Sequence, residues 1–459
     1  MAARGPFVNR GELTGHGRRE LREHALAIAA AGLRAADPAA ALRRLLRLDG
    51  DRLVVGGRPV TGLHERLAAG DTIIDLAGRR VFLVGAGKAT IGMAAVLDGL
   101  LDPRFTDAAV VVKRGQARAA LRRIEVIEAS HPVPDQSSLA GGLRLLEIAR
   151  QAQPGDLVIG LVTGGSSALA VAPAIGISLD DKMRANRRLL ASGADIRSIN
   201  DVRKHLSTIK GGLLGRACGC EIVNFTVSDV VGDPLDYITD LTVPDRSTWA
   251  MAQETCDRFA LWGKLPAAVA ARLRRADPAE ETPKRLPNVR TWVVADAAGM
   301  CAAATEEAER HGYAVRVLGL DWVGEAADAG RRLAGAIIDA PPRTCLIAGG
   351  ENTVTLAAPA TPAGGGPSQE AALAAALDLS GAAPAAILCI DSDGTDGPTD
   401  AAGGLVDDLS AGPSAAAGAH LATALAAHAA RAALAALGDL VVTGPTGTNV
   451  NDLKIGLRG

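Results

Sequence analysis

Residues 157–169 read Leu157-Val158-Ile159-Gly160-Leu161-Val162-Thr163-Gly164-Gly165-Ser166-Ser167-Ala168-Leu169. An apolar run breaks at Thr163 into glycines and serines and then resumes with a helical pattern. That order reads as a buried strand, a tight polar turn and a helix start. Two glycines followed by two serines let backbone N–H groups approach a ligand, and a helix N-terminus carries partial positive charge. An anion, phosphate first, is the expected guest. An ordinary strand-to-helix turn capped by Ser166 fits the same residues equally well.

Working outward, 459 residues exceed what one core usually supports, so two domains of α/β type are expected. Alanine and glycine abound while aromatic residues make up 2%. Packing must then come from Leu, Val, Ile and close backbone approach, as in helices layered on a parallel sheet. A formal charge of −2 with no long basic cluster argues against nucleic acid as the main partner. Residues 1–22 are polar and arginine-rich without the apolar core of a secretory signal, so a cytoplasmic place is expected. The longest apolar stretches, such as 429–442, are interrupted by Arg431 or Asp439, and no membrane span is expected. Cys218, Cys220, Cys256, Cys301, Cys345 and Cys389 match no zinc spacing and are expected as free thiols. Composition leaves a homo-oligomer open.

Residues 20–48 repeat apolar positions at helical spacing with a break at Asp37-Pro38. A short hairpin-like piece at 52–60 precedes the strand 81–84, which runs into Gly85-Ala86-Gly87-Lys88 and the helix 89–101. Strands at 108–112 and 125–127 and a helix at 137–150 lead to the opening stretch. This alternation implies a Rossmann-like, doubly wound sheet. Residues 179–218 are mostly helical and strongly polar, and 222–227 returns as a strand ending in Ser228-Asp229. Residues 274–288, rich in Pro, Glu, Arg and Lys, are the linker candidate. A second organisation follows, with strands at 290–295, 314–319, 344–348, 385–391 and 440–443, helices at 297–311 and 369–379, and a Pro/Gly-rich loop at 359–367.

The turn 85–88 lacks a third glycine, where Thr90 stands, and Lys113-Arg114-Gly115 occupies the place of the acidic residue in a dinucleotide fingerprint. A cation in the first helical turn opposes the helix dipole, so Lys88 makes sense with an anion between them. Asp391-Ser392-Asp393-Gly394-Thr395-Asp396-Gly397 places three carboxylates after a strand. It departs from a calcium loop, whereas magnesium needs only one or two carboxylates; aspartate and glycine also simply form turns. Asp229 and Asp233 pose the same choice. Asn200, Arg203 or Lys204, and Ser207 share a helical face, lining a cleft or facing solvent. His131, in a Pro-rich turn, reads as structural. Glycine turns at strand ends, a lysine and carboxylates are the equipment of phosphoryl transfer.

The chain resembles the glycerate 2-kinases of the tartrate-utilisation type, whose C-terminal part is the MOFRL domain. The resemblance rests on Gly85-Ala86-Gly87-Lys88-Ala89, Ser130-His131-Pro132-Val133-Pro134-Asp135, Thr163-Gly164-Gly165-Ser166-Ser167-Ala168-Leu169, and Asn200-Asp201-Val202-Arg203-Lys204-His205-Leu206-Ser207 with Lys210-Gly211-Gly212. It continues through Ser228-Asp229-Val230, Val243-Pro244-Asp245, Asp393-Gly394-Thr395-Asp396-Gly397 and Thr443-Gly444-Pro445-Thr446-Gly447-Thr448-Asn449. It implies a two-domain α/β enzyme with its site in the cleft, moving the γ-phosphoryl group of ATP with Mg2+ to the 2-hydroxyl of D-glycerate. The domains implied are 1–285 and a smaller MOFRL-like 286–459, with the tail from about 440 to 459 returning to the first.

By that likeness Lys88 leads as catalytic residue, joined by Lys210 and Arg203. Gly85, Gly87, Thr163, Gly164, Gly165, Ser166, Ser167, Thr446, Thr448 and Asn449 fall to the nucleotide and its phosphates. Asn200, Ser207, Asp240 and Gln369 fall to the small-molecule substrate, and Asp229, Asp393 and Asp396 to the metal. Some members of the family carry the label hydroxypyruvate reductase, which the failed dinucleotide fingerprint opposes. The family's arginine before Gln369-Glu370 is replaced here, with Pro367 and Ser368 at the corresponding place, and Thr239-Asp240-Leu241-Thr242 stands for its Ser-Gly-Pro-Thr. Ser166 replaces a further glycine. The lost and gained charges point to a less anionic acceptor than glycerate, or to a weakened, binding-only relative.

Overall fold

In the computed structural model, which describes residues 5–116, 121–230, 235–238, 240–356, 364–412 and 415–459, the apolar runs become neighbouring strands. They are β1 (Val81–Ala86), β2 (Phe105–Lys113), β3 (Glu125–Ala129), β4 (Leu157–Val162), β5 (Glu221–Val227) and β6 (Val289–Ala295). Their order across the sheet is β3-β2-β1-β4-β5-β6, and pairings from β3 through β5 are parallel. Every residue of β1 and β4 is buried, as expected of strands covered on both faces. The order reverses between β1 and β4, and ligands of such sheets bind beyond the C-terminal strand ends at that switch point. Antiparallel Val60–Thr61 and Glu65–Arg66 extend the β6 edge.

The helices that serve this sheet begin at caps legible in the sequence. In α3 (Gln136–Gln151), which follows α2 (Thr90–Leu101), the Asp135 carboxylate accepts from Ser138 N–H at 3.0 Å while the Ser138 hydroxyl accepts from Asp135 N–H at 3.1 Å. After the one-turn α4 (Ser166–Leu169), Ser178 and Asp181 form the same reciprocal cap for α5 (Leu179–Leu190). Asp195 accepts from Arg197 N–H and Ser198 N–H, both at 3.0 Å, to start α6 (Ile196–His205).

The chain divides into two units, one of Ala41–Ser228 and Asp233–Val294, the other of Met1–Ala40, Asp229–Gly232 and Ala295–Gly459. The boundary expected at 285/286 therefore moves to 294/295, and 290–295 is the last strand of the first sheet. Residues 274–288 are no linker. Glu281 is hydrogen-bonded to His205 Nε2 at 2.8 Å and accepts from Trp249 N–H at 3.0 Å, which fastens the segment to its own unit. Burial alone would raise the Glu281 pKa, but these partners and the Thr282 amide outweigh it and hold it at about 2.

The second unit carries β7 (Ala314–Gly319), β8 (Thr344–Gly350), β9 (Ala385–Asp391), β10 (Gly403–Asp407), β11 (Leu440–Val441) and β12 (Asp452–Arg458). Their order is β7-β8-β12-β9-β10-β11. The tail does not return to the first unit: β12 pairs antiparallel with β8 on one side and β9 on the other. The N-terminal helix α1 (Arg19–Ala35) also belongs here. A Cβ on its Gly32 would lie 3.1 Å from Met300 O and from Leu453 Cδ2, and its buried Arg22 donates to Asp407 (2.5 Å) and Asp439 (2.7 Å). A buried guanidinium needs such carboxylates, and both come from this unit. The loop expected at 359–367 lies mostly outside the described residues. No single helix among them is long and apolar enough to cross a membrane.

Candidate functional site

The turns after β1 and β4 interlock. Lys88 N–H donates to Gly164 O (2.9 Å), Thr163 N–H to Ala86 O (3.0 Å) and Ala89 N–H to Thr163 Oγ1 (3.2 Å). Gly87 N–H donates to Val111 O at 3.1 Å and Thr90 N–H to Gly87 O at 3.4 Å. The four amides from 87 to 90 are thus occupied, so Gly85 and Gly87 do not offer the backbone phosphate cradle expected of them. Their glycines serve contact between the turns. A Cβ on Gly85 would stand 2.9 Å from Leu161 O, and one on Gly87, where φ is +141°, would stand 2.0 Å from Thr163 Oγ1.

The second turn keeps its donors. Gly165, at φ +85°, is the N-cap of α4, and Ser166 is the first helical residue with its N–H donating to Thr163 O at 3.2 Å, not the cap expected. The amides of Gly164, Gly165 and Ser167 have no intramolecular partner among the described residues. A Cβ on Gly165 would come 3.2 Å from both Lys88 Cγ and His131 Nε2, so glycine there lets both side chains lie against the turn. His131, read as structural, is therefore at the site, and Lys88 is half-buried beside it.

Next to this turn is a cavity of ≈ 30 Å³ whose wall includes Ser167, Lys182, Asn186, Arg203 and Lys210. Lys210 is buried and donates to Ser167 Oγ (2.5 Å) and Asp240 Oδ2 (2.9 Å). Burial lowers its pKa; Asp240 pulls the other way and Arg203 adds to the lowering. Among the described residues Arg203 Nη1 donates to Asn200 Oδ1 at 3.4 Å, and burial depresses its pKa as well. Lys182 Nζ donates to Leu206 O at 3.1 Å, and burial, then Lys210 and Arg203, push its pKa well below the ordinary lysine value. Neither Lys182 nor Arg203 has a carboxylate within ion-pair distance among the described residues. The Asn186 side-chain oxygen is buried without a partner.

Lys182 and Asn186 were not marked by any motif. The signal was present: Lys182, Ala185, Asn186 and Leu189 stand at i, i+3, i+4 and i+7, and Ala185 and Leu189 are core residues. A lysine on the apolar stripe of a charged helix is an inward-facing lysine. Other expectations shift. Ser207 is absent from the cavity wall; its hydroxyl donates to Ala172 O (3.1 Å) and accepts from Lys210 N–H (3.2 Å), so it shapes the turn rather than meeting substrate. Lys204 is buried against Asp245 at 2.7 Å.

The remaining candidates belong to the second unit. Asp396 does not fit a metal: its oxygens accept from Ser368 N–H (3.0 Å) and Gln369 N–H (2.7 Å), closing the start of α7 (Pro367–Leu379). Pro367, where the family pattern carries arginine, sits at a first helical turn that suits proline. Gln369 donates to Thr399 Oγ1 at 2.8 Å, leaving its side-chain oxygen buried without a partner. Asp393 Oδ1 accepts from Thr395 N–H and Oγ1 at 2.8 and 2.6 Å; beside it, burial, Asp393 and Asp452 raise the Asp391 pKa to about 8. These neighbouring carboxylates meet the modest demand of magnesium. Thr446 N–H donates to Asp393 O at 3.2 Å, so the turn carrying Thr446, Thr448 and Asn449 packs on the Asp393 turn, and the Thr448 hydroxyl is buried without a partner. Asp229 lies two residues past β5, and Asp233 is outside the described residues.

Comparison with known proteins identifies the family. Residues 24–274 match the family described as Domain of unknown function (DUF4147), and residues 344–452 match the MOFRL family. A glycerate 2-kinase of Pyrococcus horikoshii is 36% identical over 450 residues, covering 95% of this chain and 97% of that protein. A putative hydroxypyruvate reductase of Agrobacterium vitis is 37% identical over 428 residues, covering 91% and 94%. The crystal structure of a glycerate kinase from Thermotoga maritima superposes with a TM-score of 0.81 at 33% identity, covering 96% of this chain and all of that one. With this extent of likeness in sequence and in fold, the chain belongs to the glycerate 2-kinase family.

Proposed function

We propose that this chain is an ATP-dependent kinase that phosphorylates a hydroxyl of a small hydroxy acid, D-glycerate or a close relative. The acceptor oxygen bonds to the γ-phosphorus as the bond to the β–γ bridging oxygen breaks, ADP departs with that bridging oxygen, and the hydroxyl proton passes to water. The observation that carries this reading is the cationic cavity opening beside the Thr163–Ser167 turn, with Lys88 against the same turn. Lys88 is positioned as a point charge for the oxygens of the transferring group, and the amides of Gly164, Gly165 and Ser167 as neutral donors beside it. Magnesium, when bound, supplies neutralisation of phosphate charge; Asp393, with Asp391, would hold it.

Asp240 is matched by Lys210, so the acidic substitution leaves two cations over, which supports an anionic acceptor rather than the less anionic one. The reductase reading loses support, because amides 87–90 are engaged within the protein and Lys113 ends β2 where a dinucleotide ribose needs a carboxylate. Six free, buried cysteines fit a reducing compartment such as the cytoplasm.

Coupled ADP release with magnesium, ATP and D-glycerate tests the reading. Turnover is expected, and Lys88→Ala should lower kcat by about 10²–10³. Absence of ADP release across a panel of hydroxy acids, with NADH oxidation by hydroxypyruvate, would overturn it.

A further inference from the structure

Three cations line the cavity; Lys210 is paired with Asp240 behind the wall, and the other two, Lys182 and Arg203, have no carboxylate within ion-pair distance among the described residues. Uncompensated positive charge in a half-buried pocket is costly, and an anion relieves that cost. The size of the space narrows the choice. A water needs roughly 10–15 Å³ of such volume, so ≈ 30 Å³ suits two oxygen-sized atoms. A single carboxylate group fits, and a phosphate with a sugar behind it does not. The wall also offers one acceptor without a donor, the buried Asn186 side-chain oxygen.

We propose that this cavity is the carboxylate subsite for a small 2-hydroxy acid, and that Lys182 is its specificity-determining cation, acting with Arg203. The assignment rests on the kinase reading above. Lys210, fastened by Asp240 and Ser167, shapes the floor, while Lys182 reaches in from α5 on the same face as Asn186. The acceptor is then gripped by its acid end, with its 2-hydroxyl directed toward the Thr163–Ser167 turn and Lys88.

Lys182→Met keeps the aliphatic stem and removes the charge. Steady-state kinetics are to be compared on D-glycerate and on its neutral amide, D-glyceramide, with the full chain. The variant should raise KM for glycerate at least tenfold, leave KM for ATP and for the amide within twofold, and change kcat little; Lys182→Arg should recover most of the loss. An unchanged glycerate KM, or equal losses for acid and amide, overturns the assignment. Calorimetric titration of D-glycerate without nucleotide separates this from the kinase reading. If the wild type phosphorylates nothing yet binds glycerate one to one, and Lys182→Met abolishes that binding, the kinase reading falls and the subsite stands. If the wild type turns over but binding and KM ignore Lys182, the subsite falls. Should Lys182→Met not fold, Arg203→Lys is read in the same assays, with selective loss for the acid expected and no selectivity overturning the proposal.

Discussion

Replacing Gly87 by alanine adds one methyl group at the tightest contact in the site. The new carbon would stand 2.0 Å from Thr163 Oγ1, 2.6 Å from Thr163 O and 2.8 Å from Thr163 C. Two costs follow. Holding an alanine at φ +141° is worth about 1–3 kcal/mol of backbone strain. Overpacking adds about 1–3 kcal/mol, because the backbone carbonyl cannot swing aside as a side chain would. A loss of about 2–5 kcal/mol is expected for this unit, enough to move a urea midpoint visibly. Trp249, Trp262 and Trp292 lie in the same unit and report its unfolding by fluorescence. Shifting the turn also moves Lys88, whose amide is tied to Gly164, so kcat should fall by about 10²-fold even where the protein is fully folded. The control is the double variant with Thr163→Ala. It removes the 2.0 Å clash but keeps the carbonyl at 2.6 Å, so it should recover only part of the stability. A midpoint and kcat for Gly87→Ala equal to the wild type would refute the interlocked-turn account.

Asp240→Asn leaves the buried Lys210 without its carboxylate and should cost about 3–5 kcal/mol, a loss that saturating D-glycerate reduces in a thermal-shift assay; KM for glycerate should fall severalfold as the cavity gains positive charge. Glu281→Gln should remove an acid-sensitive contribution. The folded pKa of about 2 lies below the unfolded value, so the stability Glu281 adds is present above about pH 4.5 and lost as pH falls toward 2. Acid titrations of wild type and variant should diverge above that window and converge at its lower end. Asp201 has the opposite sign: burial, opposed by Lys204, raises its pKa to about 6. Its ionisation therefore weakens the fold as pH rises from about 4 to 6, and Asp201→Asn should stabilise the protein at pH 7 but not at pH 4, read by urea unfolding at both.

The first sheet was legible because its strands are continuous apolar runs, and the ends of those runs carry the glycine turns. Placement of the turns followed from strand order, but their hydrogen bonding did not. Gly85 and Gly87 look like a phosphate loop in sequence because close approach to a ligand and close approach to another turn require the same missing side chain. Asp396 misled for a related reason, since a carboxylate after a strand serves a helix N-terminus as readily as a metal. Lys182 was hidden among Asp180, Asp181, Arg184, Arg187 and Arg188, where only its register with Ala185 and Leu189 distinguishes it. Strand β12 escaped notice because Asp452-Leu453-Lys454-Ile455 alternates like a strand with one wet face. Both faces are in fact buried, and Lys454 is accommodated by its ion pair with Asp452 at 2.9 Å.

The partnership of α1 with β12 has a bearing on synthesis. Helix α1 packs through Gly32 against Leu453, a residue made about 420 positions later. At about 5–20 residues per second, the interval is roughly 20–80 s. During it the first unit, nearly contiguous between residues 41 and 294, has all its strands and can fold. The apolar side of α1 meanwhile stays without its eventual neighbours, and Arg22 without Asp407 and Asp439. A nascent chain of this design therefore presents a sticky leading helix for most of its time on the ribosome, a natural handle for a chaperone and a liability for any fusion that delays release of the last few residues.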